Sequence, residues 1–241
     1  MAQLFLGLSG YDYADWKGDG LFYPSDQPKS KFLDYYGTRY NSLEFHGAFQ
    51  SMLSETSIKN WLTKTPDDFR VSPKMHQSVT HFKRLKPESL EALNLFLERM
   101  QPAEDAGKIG SLWLQIPGNF KRDDDRLSNF LVSIPQRPGL RWSLELNHES
   151  WFCAETESLL SKHGVAWIAT ETDDHSAEMR FTADHSYIRL RKLQYSETEL
   201  QEWARKIKEI ISSGRDCYVY CRHLDTVAPW KWADRLRELV N

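Results

Sequence analysis

Several ionisable residues stand at the ends of short apolar runs. Glu44 and His46 close Ser42-Leu43-Glu44-Phe45-His46, Lys74 follows Val71-Ser72-Pro73, and Glu145 ends Trp142-Ser143-Leu144-Glu145. Arg189 sits in Tyr187-Ile188-Arg189-Leu190, and Arg222-His223 follows Cys217–Cys221. A pair of carboxylates suits general acid and base work if one is held protonated. Lysine and arginine suit a carboxylate or phosphate, lysine as a point charge and arginine through its planar fork. Left unpaired in an interior, each charge would cost several kcal/mol. Such residues therefore either pair with one another, plugging the fold, or meet a ligand.

Three chemistries fit this set. In the first, Glu44 and Glu145 are the acid/base pair, with His46 and His148 as proton carriers. Lys74, Arg189 and Arg222 then cradle a small anionic substrate, with Ser9, His81, Gln115, Asn147, Trp151 and His223 around it. That is the outline of an isomerase, lyase or hydrolase without a cofactor. In the second, Glu44, His46, Glu145 and His148 hold zinc, manganese or iron, as in a metal-dependent phosphodiesterase or sugar isomerase. The spacing matches no tight metal motif, and Lys74 and Arg189 would repel the ion. In the third, the pocket only binds, and Tyr11, Tyr13, Trp16, Phe22, Tyr23 and Trp151 stack on a ligand or on single-stranded nucleic acid. The plainer role for these aromatics is to seal the mouth of the fold.

The elements that must position these residues alternate. Apolar and β-branched runs predict strands near 4–10, 42–47, 69–75, 110–116, 140–147, 164–171, 186–191 and 217–223. Helical periodicity predicts helices over 30–37, 54–64, 88–100, 124–133, 154–163, 197–212 and 227–239. Ser196 with Glu199 reads as a capping box, and Asp123-Asp124-Asp125 as acids at a helix start. Strand side chains alternate between faces. With Leu43, Val71, Leu112, Leu114, Leu144, Ile188 and Val219 on the helix side, the ionisable set falls on the other. For the sixth strand either Thr170 or Glu171 fits the inner face. Connections leaving strands are long, as from Tyr11 to Lys29, His76 to Pro87 and Thr172 to Asp184, whereas those entering strands are short. This is the pattern of one TIM-like (β/α)₈ barrel over 1–241, with its site at the C-terminal strand ends.

Composition narrows the setting. At 241 residues the chain is near the ~250 of one such barrel. No apolar run approaches the roughly 20 residues that cross a bilayer. Leu4-Phe5-Leu6-Gly7-Leu8 begins a strand almost at once, which argues against a secretory leader. Net charge is −3 with both signs interspersed, disfavouring general affinity for nucleic acid or anionic membranes. Cys217 and Cys221, four apart on one strand, would lie roughly 13 Å from each other, too far to bridge. With Cys153 they suit reduced thiols in a cytoplasmic protein.

In order along the chain, Gly7-Leu8-Ser9-Gly10-Tyr11, Trp16, Phe22-Tyr23-Pro24 and Leu43-Glu44-Phe45-His46-Gly47-Ala48-Phe49 resemble the YecE-like family, or domain of unknown function 72. Lys74, Thr80-His81, Gln115-Ile116-Pro117, Glu145, His148, Ser150-Trp151 and Tyr187-Ile188-Arg189-Leu190 continue the resemblance. It implies a TIM-like barrel and supplies no activity. Departures fall at His46, where many relatives resemble Glu-x-Asn; at Asn147, where many carry arginine; and at Arg222-His223, where many carry Asn-Asn. A cation absent at 147 and present at 222 would keep the pocket's charge but move it. On this reading Glu145→Gln is expected to leave folding intact and abolish any ligand response.

Overall fold

The structure, a computed structural model, describes residues 2–222 and 228–241. Nine strands are present among them: β1 (Leu4–Ser9), β2 (Ser42–Phe45), β3 (Arg70–Pro73), β4 (Ser111–Gln115), β5 (Arg141–Glu145), β6 (Ala166–Trp167), β7 (Ala169–Glu171), β8 (His185–Leu190) and β9 (Asp216–Cys221). All pairings between them are parallel. One sheet runs β3-β2-β1-β9-β8-β7 and the other β4-β5-β6. Isolated parallel bridges, Val71 with Ile109 and Lys74 with Trp113, join β3 to the start and middle of the β4 segment. Only Ile168 separates β6 from β7, and its N–H donates to Leu144 O of β5. The molecule is an α/β domain of parallel sheets, consistent with a TIM-like fold.

Seven α-helices alternate with the strands among the described residues: α1 (Phe32–Arg39), α2 (Glu55–Lys64), α3 (Leu90–Asp105), α4 (Asp124–Ser133), α5 (Ala154–Lys162), α6 (Glu197–Ser212) and α7 (Pro229–Val240). Their starts follow the local chemistry. Ser196 and Glu199 form the full capping box of α6, and the Asp123 carboxylate caps α4 by accepting from Arg126 N. The 172–184 connection between β7 and β8 carries no helix. Instead the Thr182 hydroxyl donates to Val165 O and accepts from Trp167 N, tying this strap to the β6 segment.

Alternation divides the core in two. Leu6, Leu8, Leu43, Val71, Leu112, Leu144, Ile188 and Val219 pack with the helices in one large cluster. Phe5, Trp113, Ile168, Tyr187, Tyr218 and Tyr220 form a separate cluster on the opposite strand faces. Gly7 lies on that inner face, where β1 and β2 are close. A Cβ there would stand 1.9 Å from Ser42 O, so only glycine fits. The Tyr36 hydroxyl bridges the same place, accepting from Leu8 N and donating to Ser42 O. Cys217 and Cys221 are buried and, with Cys153, free thiols. No helix is long and apolar enough to cross a membrane among the described residues.

Candidate functional site

Parallel register brings the inward polar residues of several strands to one level near their C-terminal ends. Ser9 stands beside Glu44, Gln115 beside Glu145, and Thr170 beside Arg189. The centre is Arg189, only 2% exposed, between Glu44 at 0% and Glu145 at 3%. Arg189 Nε donates to Glu44 Oε1 at 2.7 Å and Nη2 to Glu44 Oε2 at 3.0 Å. Its Nη1 donates to both Glu145 oxygens, at 2.9 and 3.1 Å. The guanidinium also lies 3.9 Å from the centroid of the Trp113 ring, a desolvated cation–π contact.

The remaining lone pairs of both carboxylates are used as well. Glu44 accepts from Tyr187 OH at 3.0 Å and Ser9 Oγ at 2.6 Å, and His46 Nε2 lies 2.8 Å from its Oε2. Glu145 accepts from Thr170 Oγ1 at 2.8 Å, Gln115 Nε2 at 2.8 Å and Trp113 Nε1 at 3.0 Å. Burial alone would raise both carboxyl pKa values. The Arg189 charge and these hydrogen bonds overcome it, holding Glu44 well below the usual carboxylate range and Glu145 below it. Neither glutamate is therefore kept protonated to act as an acid. That corrects the raised-pKa role expected for the pair: each is a fixed anion saturated by donors.

Lys74 is placed differently. Its side chain leaves the end of β3, and the residue is 8% exposed. Nζ donates to Gln115 Oε1 at 2.7 Å, and it lies 4.0 Å from the Phe49 ring centroid and 4.5 Å from that of Trp113. Among the described residues no carboxylate oxygen comes within 4.0 Å of it. Burial first, then the Arg189 charge, lowers its pKa to about 8 despite the attraction of Glu145 and Glu44. Arg191, just beyond β8, adds to that repulsion, and its own pKa is lowered by burial and by Arg189. Arg222 Nη1 donates to Arg191 O, and its Nε is buried without a partner among the described residues.

The other expected site residues divide. His81 stands edge-on to Phe49, which carries Lys74 on its face, and its Nδ1 lies 2.8 Å from Thr80 Oγ1. It belongs to a π-helical turn, Ser78–Phe82, which leads into two residues of positive φ, Arg84 and Leu85. Asn147 is exposed and spends its Nδ2 on Ile116 O. His148 caps the short turn Glu149–Trp151, its Nδ1 accepting from Ser150 N. Trp151 is 1% exposed and donates to Phe120 O. These last three do not join the charged cluster, because backbone groups at Ile116, Ser150 and Phe120 take up their polar atoms. Trp16, Phe22 and Tyr23 are buried as well, so they pack and do not offer stacking faces. His223 lies outside the described residues.

The expected metal ligands are not assembled: His148 is a cap, and Arg189 stands between the carboxylates of Glu44 and Glu145. Among the described residues no group of three or more His, Cys, Asp or Glu side chains could hold a metal ion. The choice in the sixth strand is resolved. Thr170 points to Glu145, while Glu171 accepts from Trp203 Nε1 on α6. Beside Glu145 and Thr170 opens a cavity of about 350 Å³, walled partly by Phe152 and Trp167. Trp113, Thr170, Phe49 and Arg191 were not among the expected site residues. Trp113 and Arg191 fall on the inward strand face by alternation, but nothing local distinguishes them from filling.

The family profile described as Protein of unknown function DUF72 matches residues 5–241. The chain belongs to this family. The UPF0759 protein YunF of Bacillus subtilis is 20% identical over 251 residues, spanning 90% of this chain and 87% of that protein. A DUF72 family crystal structure from Thermotoga maritima superposes with a TM-score of 0.84 at 24% identity, covering 99% of each chain. Another, from Enterococcus faecalis, reaches 0.77 at 14% identity, covering 99% of this chain and 96% of its own. At such identities the DUF72 structures speak to the fold alone.

Proposed function

We propose that the two sheets are one closed eight-stranded barrel, with β6 and β7 a single strand interrupted at Ile168, and that its C-terminal mouth binds a small anionic molecule. The observation that carries this reading is the contrast between its cations. Arg189 has two carboxylates, whereas the Lys74 ammonium, almost buried, has a neutral amide and two aromatic faces. A desolvated cation without a counterion is costly, and a bound carboxylate or phosphate would relieve that cost. Arg191 and Arg222 supply further positive charge beside Arg189.

The chemistry that suits this arrangement is proton transfer, as in an isomerase or lyase, with Lys74 as the group that changes protonation. A pKa of about 8 leaves both forms populated near neutral pH. Glu44, Arg189 and Glu145 serve as its rigid floor, and Gln115 carries the connection from Glu145 to Lys74. Thermal unfolding in increasing inorganic phosphate or malonate tests the binding. A midpoint that climbs with ligand in the wild type and not in Lys74→Met supports it; equal or absent responses from both would refute it.

A further inference from the structure

Three places in the molecule hold unexplained polar chemistry. At the opposite strand ends, Ser111 and Ser143 bond His185, which bonds Asp184, but both serines are 0% exposed and lie beyond substrate reach. The cavity beside Glu145 has aromatic walls, and the ionisable groups at its rim, Glu149, His175 and Glu178, are exposed. Lys74 is the third, and its surroundings go further than anion binding requires.

We propose that Lys74 is a nucleophile that forms an imine with a carbonyl compound bearing a nearby carboxylate or phosphate. The inference rests on the anion-binding reading and names its substrate class. An amine attacks only through its lone pair, so it must be neutral and aimed. Lys74 Nζ is held in one direction by its 2.7 Å bond to Gln115 Oε1, and Gln115 is fixed in turn by donating to Glu145 at 2.8 Å. Phe49 and Trp113 enclose it with apolar surface. The charged groups acting on it are Arg189 and Arg191, which oppose its protonation, and Glu145 and Glu44, which favour it. Both carboxylates are already bound by Arg189, so the balance favours release of the proton.

In the reaction, the nitrogen lone pair adds to the carbonyl carbon and the C=O π pair moves to oxygen. One N–H proton is transferred, giving a carbinolamine. Protonation of its hydroxyl and departure of water leave the C=N⁺ iminium; nothing is oxidised or reduced. The iminium then accepts the electron pair of a C–H bond broken at the neighbouring carbon, the proton leaving to solvent and an enamine remaining, the chemistry of isomerases and lyases acting on oxo acids. Arg191 would hold the anionic group and thereby select such substrates over neutral aldehydes.

The test uses the intact protein, glyoxylate as probe and cyanoborohydride at pH 7.5, with labelled lysines located by peptide mass spectrometry. Lys74 should be modified about tenfold or more faster than any other lysine, since a group with pKa about 8 is far more often neutral than an ordinary lysine. Inorganic phosphate should slow that labelling, and acetaldehyde should label Lys74 more slowly than glyoxylate does. Lys74→Arg should keep the thermal response to phosphate while losing the site of fast labelling. If phosphate stabilises the wild type but Lys74 is labelled no faster than other lysines, the imine is ruled out and the anion site stands. If neither effect occurs, both proposals fall.

Discussion

The two ends of the strands carry similar polar inventories but differ in how their charges are settled. At the N-terminal ends, a cavity of about 590 Å³ is lined by Arg70, Arg137 and Arg141 together with Glu104, Asp184 and Asp216. Arg137 pairs with Glu104 at 2.6 Å and Arg141 with Asp216 at 2.6 Å. Deeper in, Ser111 and Ser143 lie 2.6 Å apart and share His185, whose burial lowers its pKa. At the C-terminal ends Arg189 neutralises part of the charge of both glutamates, and Lys74 and Arg191 remain without a carboxylate partner among the described residues. The larger cavity thus carries equal numbers of arginines and carboxylates, while the C-terminal end carries surplus positive charge. Size alone would choose the N-terminal end, whereas charge accounting points to the other.

The largest break in this contrast is Arg189→Met. It strands two buried carboxylates beside each other and should cost about 3–5 kcal/mol in urea unfolding. The acid limb sharpens the point. Glu44 and Glu145 have folded pKa values below their unfolded values, so their contribution is complete above roughly pH 4.5 and is lost as pH falls through the folded values. An acid-unfolding midpoint that did not rise in Arg189→Met would contradict that assignment.

Glu145→Gln comes next. The expectation from sequence was unimpaired folding, but five hydrogen bonds converge on this carboxylate, two of them from Arg189. A loss of about 1.5–3 kcal/mol is therefore expected, together with loss of any ligand effect. Denaturant midpoints equal to wild type would mean that the ion cluster contributes little.

At the other end, His185→Ala should cost about 1–3 kcal/mol, by leaving buried hydroxyls short of a partner, and should not alter the phosphate response. The His185 pKa is lowered on folding, so its contribution is full above the unfolded value of roughly 6.5 and declines as pH falls below it. That part of the stability profile should flatten in the variant. A changed phosphate response would instead show that the two ends are coupled.

The smallest effect has the opposite sign. Lys74→Met should gain about 1 kcal/mol at pH 7, because folding holds this amine below its unfolded pKa. The gain should shrink as pH rises from about 8 towards 10, where the unfolded amine also loses its proton. A destabilised variant at neutral pH would mean that the ammonium is satisfied as it stands.

Period and punctuation carried much of this molecule's organisation. The alternation in Leu43-Glu44-Phe45 and Tyr187-Ile188-Arg189-Leu190 determined which residues face inward, because a strand has only two faces. Ser196 with Glu199 determined the start of α6, because a cap is satisfied within one turn. The same local logic could not determine which inward residues meet. Glu44 and Arg189 are 145 positions apart, and only parallel register and strand order make them partners. Nor could it reveal that both glutamates are claimed by one arginine while Lys74 is left with Gln115, Phe49 and Trp113. His148 and Trp151 misled for a related reason: His148 turns to cap its own backbone, and Trp151 is buried with its indole N–H on Phe120 O, 31 positions away. Which groups face inward is written in the chain; which charge remains unpaired depends on distances between strands, and so only the tertiary structure decides it.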